Sequence, residues 1–373
     1  VNIQVIESVD QWATVADEWD LMVADQPLHS HAWLSSWWTA FGEQAGRLAV
    51  ACVRHREQVI GLAPFFVSHS WMGKTVRFLG SGTTCTDYLD IFCEPGYSAV
   101  VAEHLVGWLS SGEFRRKFGR IDLVELEGHL ASAPGVSALG DRLQSCGWSA
   151  EVTALDSCWV VPLQQTWDDY LSGLSARSRK RARQALKLQE RGDIDYQTWS
   201  DPESIRQIWP KFIELHQNRR QDKGQAGCFR EHQFETFIER AVAQLSMDGR
   251  ASVVGVLHQG QPISLGLLLH GDRRNFLYQT GMDGDFIKLE PGHLLNALTI
   301  HQSWSAGRSH FDFLRGDEPY KARWAAEPAA LVRSRYWNFH ISARVRANLI
   351  RAGRMLKHWA QPAKPVLPQE TRD

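Results

Sequence analysis

Residues 47–66, RLAVACVRHREQVIGLAPFF, lie without a gap on residues 250–269, RASVVGVLHQGQPISLGLLL, at an offset of 203 residues. Each copy opens with Arg and runs through an apolar strand, a polar turn containing His and a second apolar strand, so each spells a β-hairpin. Helical patterns precede both hairpins and a further strand follows both. The fold class expected is α/β (α+β): two tandem units, each a mixed, mostly antiparallel sheet flanked by helices.

Outward from the first hairpin, residues 1–6 alternate like a strand, Asp10 is placed to cap a helix, and 31–41 (HAWLSSWWTAF) spell a second helix. Further strands are expected at 77–80, 88–93, 121–126 and 158–162, and helices at 100–109 and 136–146. In the second half, 168–191, 202–219 and 231–245 are helical and 251–258, 262–270 and 275–280 are strands. A helix over 292–306 and a strand over 310–314 follow. The units expected are 1–165 and 166–335, with a basic helix and flexible tail over 336–373.

At 373 residues, 43% apolar and 22% charged, the chain suits two packed domains. A net charge of −1 argues against a generally nucleic-acid-coating surface, so any basic patch must be found by position. The sixteen tryptophans, with Trp33, Trp37 and Trp38 close together, are read as core anchors ahead of a sugar-stacking surface. Six cysteines with no C-x-x-C pair suggest reduced thiols, no metal site and a cytoplasmic setting. No signal-peptide layout and no membrane-span window is found.

Chemistry concentrates in Asp312-Phe313-Leu314-Arg315-Gly316-Asp317-Glu318-Pro319-Tyr320-Lys321-Ala322-Arg323-Trp324. Carboxylate, phenol and ammonium together supply a base, an acid and a cation, although Arg315 paired with Glu318 or Asp317 would equally make a loop clamp. Pro291-Gly292 opens a helix whose first N–H groups can hold a phosphate, with Lys288 and His293 nearby. Arg177, Arg179, Lys180, Arg181 and Arg183 make either a solvated face or a phosphate-binding side, with Arg177 and Arg181 on one helical edge. His216 ends a helix, where a structural role and a general-base role are both open. Residues 340–359 can be written as a basic amphipathic helix that docks on the protein, on a protein partner or on a membrane surface.

The runs HSHAWLSSWW (29–38), PGHLL (291–295) and FDFLRGDEPYK (311–321), with 174–183, resemble the BioF2-like or CelD-type acetyltransferase domain. That family belongs to the GCN5-related N-acetyltransferase (GNAT) superfamily and is similar in build to the Fem peptidyltransferases, which carry two such units. The resemblance covers roughly residues 1–335. It implies an acyltransferase with acetyl-CoA or another acyl-CoA as co-substrate, no metal, and a small-molecule or glycan acceptor from polysaccharide synthesis. Aminoacyl-tRNA as donor is the Fem-type alternative, and a non-catalytic glycan-pathway scaffold is another. The chain departs from the superfamily in having no R/Q-x-x-G-x-G/A phosphate loop.

By the same resemblance, strand 275–280 would present N–H groups to the thioester carbonyl. Gly281, Met282, Lys288, Gly292, His293 and Arg315 are expected at the donor. Arg177, Arg181, Arg219, Asp283 and Trp324 are expected at the substrate. A Phe-Lys-x-x-Phe segment of Fem-type enzymes, whose lysine lies near the reacting acyl group, is similar to Tyr320-Lys321-Ala322-Arg323-Trp324. Lys321 is therefore expected to stabilise developing charge, with Tyr320 as proton donor and His216, Asp312 or Glu318 assisting the acceptor.

Overall fold

A computed structural model describes residues 1–348 apart from residues 24, 83, 85, 223–226 and 341–342; the side chains of residues 221 and 222 are not described. Of the basic helix expected at 340–359, residues 340 and 343–348 fall among the described residues, with 340 in a bend and 343–348 helical, and the rest lies outside them.

The two hairpins repeat each other in detail. In the first, Ala51 faces Ala63, Cys52 faces Leu62 and Val53 faces Gly61. In the second, the residues 203 positions later pair the same way: Val254 with Gly266, Gly255 with Leu265, Val256 with Ser264. Both ladders shift register at the same step, after Val53 and after Val256. Both turns then place a non-glycine residue in the left-handed region, Arg56 at φ 57° and Gln259 at φ 52°. Register in a half-buried hairpin is set by which face is apolar and by the turn. Two hairpins that share register, irregularity and turn therefore share one local design, set in a mixed α/β fold.

Among the described residues, three sheets carry the chain, one antiparallel with four strands and two mixed with seven and six. The first hairpin, with Asn2–Ile6 and Phe92–Cys93, forms a four-stranded sheet. The second lies in a seven-stranded sheet ordered Asp195–Trp199, Ala251–His258, Gln261–His270, Arg274–Met282, His310–Arg315, Cys158–Pro162, Glu327–Ala329. A six-stranded sheet holds Phe65–Ser70, Gly73–Phe78 and Leu123–Leu130, and Leu331–Trp337 enters it between Leu123–Leu130 and Ser149–Ala154. The six-stranded sheet thus takes a strand from the far end of the C-terminal half, and the seven-stranded sheet takes Cys158–Pro162 from the end of the N-terminal half.

The tryptophan run is core, as expected: Trp33 and Trp37 are buried on the His31–Ala45 helix, which packs against the His232–Met247 helix. Trp33 stands edge-on to Phe237 and Tyr278 at 4.9 and 5.0 Å, which joins the two halves. Local differences from the sequence pattern have plain causes. Ser8, not Asp10, accepts from Gln11 N as the first helix cap. Pro64 ends the second strand of the first hairpin, so Phe65–Ser70 pairs separately with Gly73–Phe78. Leu174 and Ser175, extended, split 168–191 into Trp167–Gly173 and Ala176–Glu190. Only Phe92–Cys93 of the strand expected at 88–93 pairs. No described helix is long and apolar enough to cross a membrane.

Candidate functional site

The Arg274–Met282 strand keeps its antiparallel partner along its whole length, from His270↔Asn275 to Ser264↔Met282. Its parallel partner, His310–Arg315, is lost early: only Arg274↔His310, Asn275↔Phe311 and Phe276↔Asp312 pair. Beyond that point the two strands part. The bend in the second is built into its backbone. Leu314 sits at φ 56°, with its N–H donated to Asp312 Oδ1 at 2.8 Å, and Gly316 follows at φ 125°. Lys321 Nζ then donates to the carbonyls of Leu314, Arg315 and Gly316 at 3.1, 3.0 and 2.9 Å and pairs with Glu318 at 2.9 Å. Buried carbonyls need partners, and one ammonium supplies three donors.

Two cavities of about 600 Å³ each adjoin this split. The first lies between the Ala176–Glu190 helix, which contributes Arg177, Ser178 and Arg181, and the start of the Pro291–Ser305 helix, with Gly292 and His293. The second is lined by Tyr278, Gln279, Leu314, Arg315 and Glu318, and by Asp87 from the N-terminal half. Arg219, Thr280, Tyr320 and Arg323 line both. A molecule in each cavity would meet its neighbour at these four side chains.

The helix start suits an anion. Gly292 has only Met282 Sδ near its absent Cβ, at 3.4 Å, and no side chain caps this 15-residue helix. Gly292 at this helix start opens on the first cavity, beside Arg177, Arg181 and Arg323, while the N–H groups of His293 and Leu294 donate to the Glu290 carbonyl at 2.8 and 3.1 Å. A phosphate group fits this cationic lining. Glu290, left-handed at φ 52°, also lines this cavity and is paired with Arg181 at 2.6 Å. His293 stacks on Trp324 at 4.6 Å, and burial, with Arg181 adding to it, lowers its pKa to about 4, so it is a neutral ring at pH 7.

Among the residues expected at the site, Arg177, Arg181, Met282, Gly292, His293 and Trp324 line the first cavity. Arg315, Glu318 and Lys321 line the second, and Arg219 and Tyr320 line both. The others stand elsewhere. Gly281 turns its missing side chain to the Pro202–Asp222 helix, where a Cβ would lie 2.4 Å from His216 N; its smallness serves strand–helix packing. Asp283 accepts from Asp285 N at the start of a 3₁₀ turn, and Lys288 is exposed outside both cavities. Arg315, expected at the donor, binds Asp87 at 2.7 Å across the two halves. Asp312 is fully buried and lines neither cavity; it accepts from Tyr88 OH at 2.7 Å and Arg274 Nη1 at 3.1 Å. His216 is 1% exposed, lies 3.0 Å from Gln279 Oε1 and lines neither cavity, and burial lowers its pKa to about 4.

At the junction, Arg219 Nη1 donates to Thr280 Oγ1 at 2.6 Å, and no described carboxylate forms an ion pair with it. Burial pushes its pKa down, yet a guanidinium stays charged, so the junction holds a desolvated cation. Tyr320 beside it is pushed up to about 12 by burial and by Glu318, and keeps its proton. Thr280, Arg323 and Asp87 were not singled out by sequence. Thr280 ends the expected strand and Arg323 lies in the polar cluster, so both were within reach; Asp87, in an irregular loop of the other half, carried no local signal.

An acetyltransferase (GNAT) domain family model matches residues 176–322. No curated protein sequence matches the chain. Among solved structures, FemX shares 12% identity at a TM-score of 0.63, covering 89% of this chain and 97% of its own. The C-terminal domain of a protein named as a lysylphosphatidylglycerol synthetase from Agrobacterium fabrum shares 11% at 0.53, covering 91% and 96%. A conserved protein of unknown function from Bacteroides thetaiotaomicron shares 10% at 0.55, covering 90% and 100%. At such identities the likeness is one of fold.

Proposed function

We propose that this chain is a Fem-like member of the GNAT superfamily and that it transfers an acyl group from an acyl-CoA to an amine or hydroxyl of a small molecule or glycan precursor. The acetyltransferase (GNAT) domain model over residues 176–322 and the likeness in fold to FemX support this reading. The observation that carries the proposal is the pair of cavities meeting at Arg219, Thr280, Tyr320 and Arg323. A thioester bound in the first cavity supplies an activated carbonyl and a good leaving group. Gly292, Arg177 and Arg181 hold its phosphates, and the unpaired edge of the Arg274–Met282 strand leads toward the junction.

The acceptor occupies the second cavity and attacks the carbonyl directly. A C–N or C–O bond forms, the C–S bond breaks, and the acceptor's proton leaves. Arg219 faces the negative charge that develops on the carbonyl oxygen. Tyr320, protonated at neutral pH, gives its proton to the departing sulfur. Glu318, with a half-exposed side chain on the second cavity, takes the acceptor's proton. Lys321, whose three donors are spent on carbonyls, shapes the loop that carries Tyr320 and Glu318. Acetyl-CoA mixed with glucosamine should release free thiol; release that is no faster than without protein, over a panel of amine and hydroxyl acceptors, would overturn this function.

A second reading has one observation in its favour. Arg179, Arg183, Lys187 and Arg191 stand at i, i+4 spacing along the outer side of the helix whose inner side lines the first cavity. At 1.5 Å per residue such a stripe spans about 18 Å, enough for several backbone phosphates. An aminoacyl-tRNA donor of the Fem type would use it, and its binding would weaken steeply with salt.

A further inference from the structure

The strands that part beyond Phe276 and Asp312 do not part into solvent. A loop of the N-terminal half reaches between them. Tyr278, on the first strand, donates its hydroxyl to the carbonyl of Thr84 at 2.6 Å. On the second, Arg315 N donates to Asp87 Oδ2 at 3.0 Å, and Arg315 Nε to Asp87 Oδ1 at 2.7 Å. Tyr88 OH donates to Asp312 Oδ2 at 2.7 Å, at the last paired position. One loop thus bonds both strands at the gap, through the Tyr278 hydroxyl on one side and through the backbone N–H and the guanidinium of Arg315 on the other.

The loop is itself anchored on its own side. Trp33 Nε1 donates to Thr86 Oγ1 at 3.0 Å, His29 Nε2 lies 2.8 Å from the Asp87 carbonyl, and Leu89 N donates to Gly128 O. Gly128, at φ 84°, leaves the room that Arg315 and the Thr86 carbonyl fill; a Cβ there would lie 2.8 Å from Arg315 Nη2. Tyr88 sits at φ 64°, which is rare for an aromatic residue and persists only where the surroundings hold it. Asp87 is fully buried; burial pushes its pKa up, and the guanidinium of Arg315 beside it works the other way.

We propose that this loop is a wedge by which the N-terminal unit holds the reaction gap of the C-terminal unit open, with Asp87 a positioning residue that acts through Arg315. The inference rests on the gap being the acyl-transfer site, and it gives the second unit a role in the chemistry without placing any of its residues on the reacting atoms.

The test uses the full chain with Asp87→Asn, which keeps the shape and removes the charge, and Tyr278→Phe, which deletes one hydroxyl. Amide hydrogen exchange is followed without ligand, and coenzyme A is titrated by calorimetry. In Asp87→Asn, exchange over 277–282 and 313–316 should accelerate at least tenfold while 251–258 holds its rate, and coenzyme A should bind about tenfold more weakly. Tyr278→Phe should move both in the same direction, about threefold, and decides the matter if Asp87→Asn does not fold. Wild-type exchange over 277–282 and 313–316 in the folded variants would overturn the wedge. So would acceleration spread evenly over all three sheets, which would make Asp87 a general stabiliser. If the wild-type protein binds no coenzyme A, the donor assignment falls, and the exchange pattern alone still judges the wedge.

Discussion

Both units start a helix with Pro-Gly, and they treat that end in opposite ways. In the N-terminal unit the Pro134–Ser145 helix starts against Asp90, whose carboxylate accepts from Val136 N at 2.8 Å and Gly135 N at 3.4 Å. A Cβ on Gly135 would lie 2.0 Å from the Ile91 carbonyl. In the C-terminal unit the Pro291–Ser305 helix start has no such carboxylate, and Gly292 opens on a cavity. The strands that pair with the second strand of each hairpin differ in the same sense. Phe92–Cys93 has two residues, whereas Arg274–Met282 has nine and outruns its parallel neighbour. The repeated hairpin therefore makes a scaffold twice, and the proposed site lies only where a long strand loses its partner and Gly292 opens on a cavity.

The largest effect expected is on turnover. Tyr320→Phe leaves the ring packed and removes the proton, so thiol release should fall about 100-fold with little change in coenzyme A affinity. Equal turnover in the variant would remove Tyr320 from the reaction. Next, Gly292→Val fills the open helix end. Calorimetry should find donor binding weakened about 30-fold, near 2 kcal/mol, while the melting temperature stays within a few degrees.

The N-terminal unit should respond the other way. Gly61 carries its absent Cβ 2.5 Å from Val101 Cγ2. Gly61→Ala should thus cost about 1–3 kcal/mol in denaturant unfolding and leave donor affinity unchanged. Loss of donor binding there would break the distinction between scaffold and site.

The smallest effect is on pH dependence. Burial raises Asp312 to about 6 even with Arg274 beside it, from 3.8 in a free carboxyl. The folded state then holds the proton more tightly than the unfolded state. The associated stability is present below about pH 4 and is lost as pH rises through 6, by no more than about 3 kcal/mol. Asp312→Asn should flatten that slope in unfolding measured from pH 4 to 7, and an unaltered slope would assign it to other groups.

The hairpins were legible because alternation and turn chemistry are local, and their match at one offset reached even the left-handed turn residues Arg56 and Gln259. The helix start at Pro291-Gly292 was legible for the same reason. What sequence could not supply was direction. Asp312 lies in the cluster that looked reactive, yet it turns inward to Tyr88, more than 200 positions away. Lys321 turns to carbonyls of its own loop, and Gly281 turns to a helix backbone. Asp87 reaches Arg315 from an irregular loop with no period to mark it. The alternation of a strand says which residues share a face and nothing about what covers that face.

The central claim is that the C-terminal unit alone receives the donor. Hydrogen exchange with and without acetyl-CoA tests it directly, read by segment over the whole chain. Protection should gather at 176–182, 277–283 and 290–296, with 92–104 and 134–140 unchanged. Protection at 134–140, or none anywhere at millimolar acetyl-CoA, would contradict it.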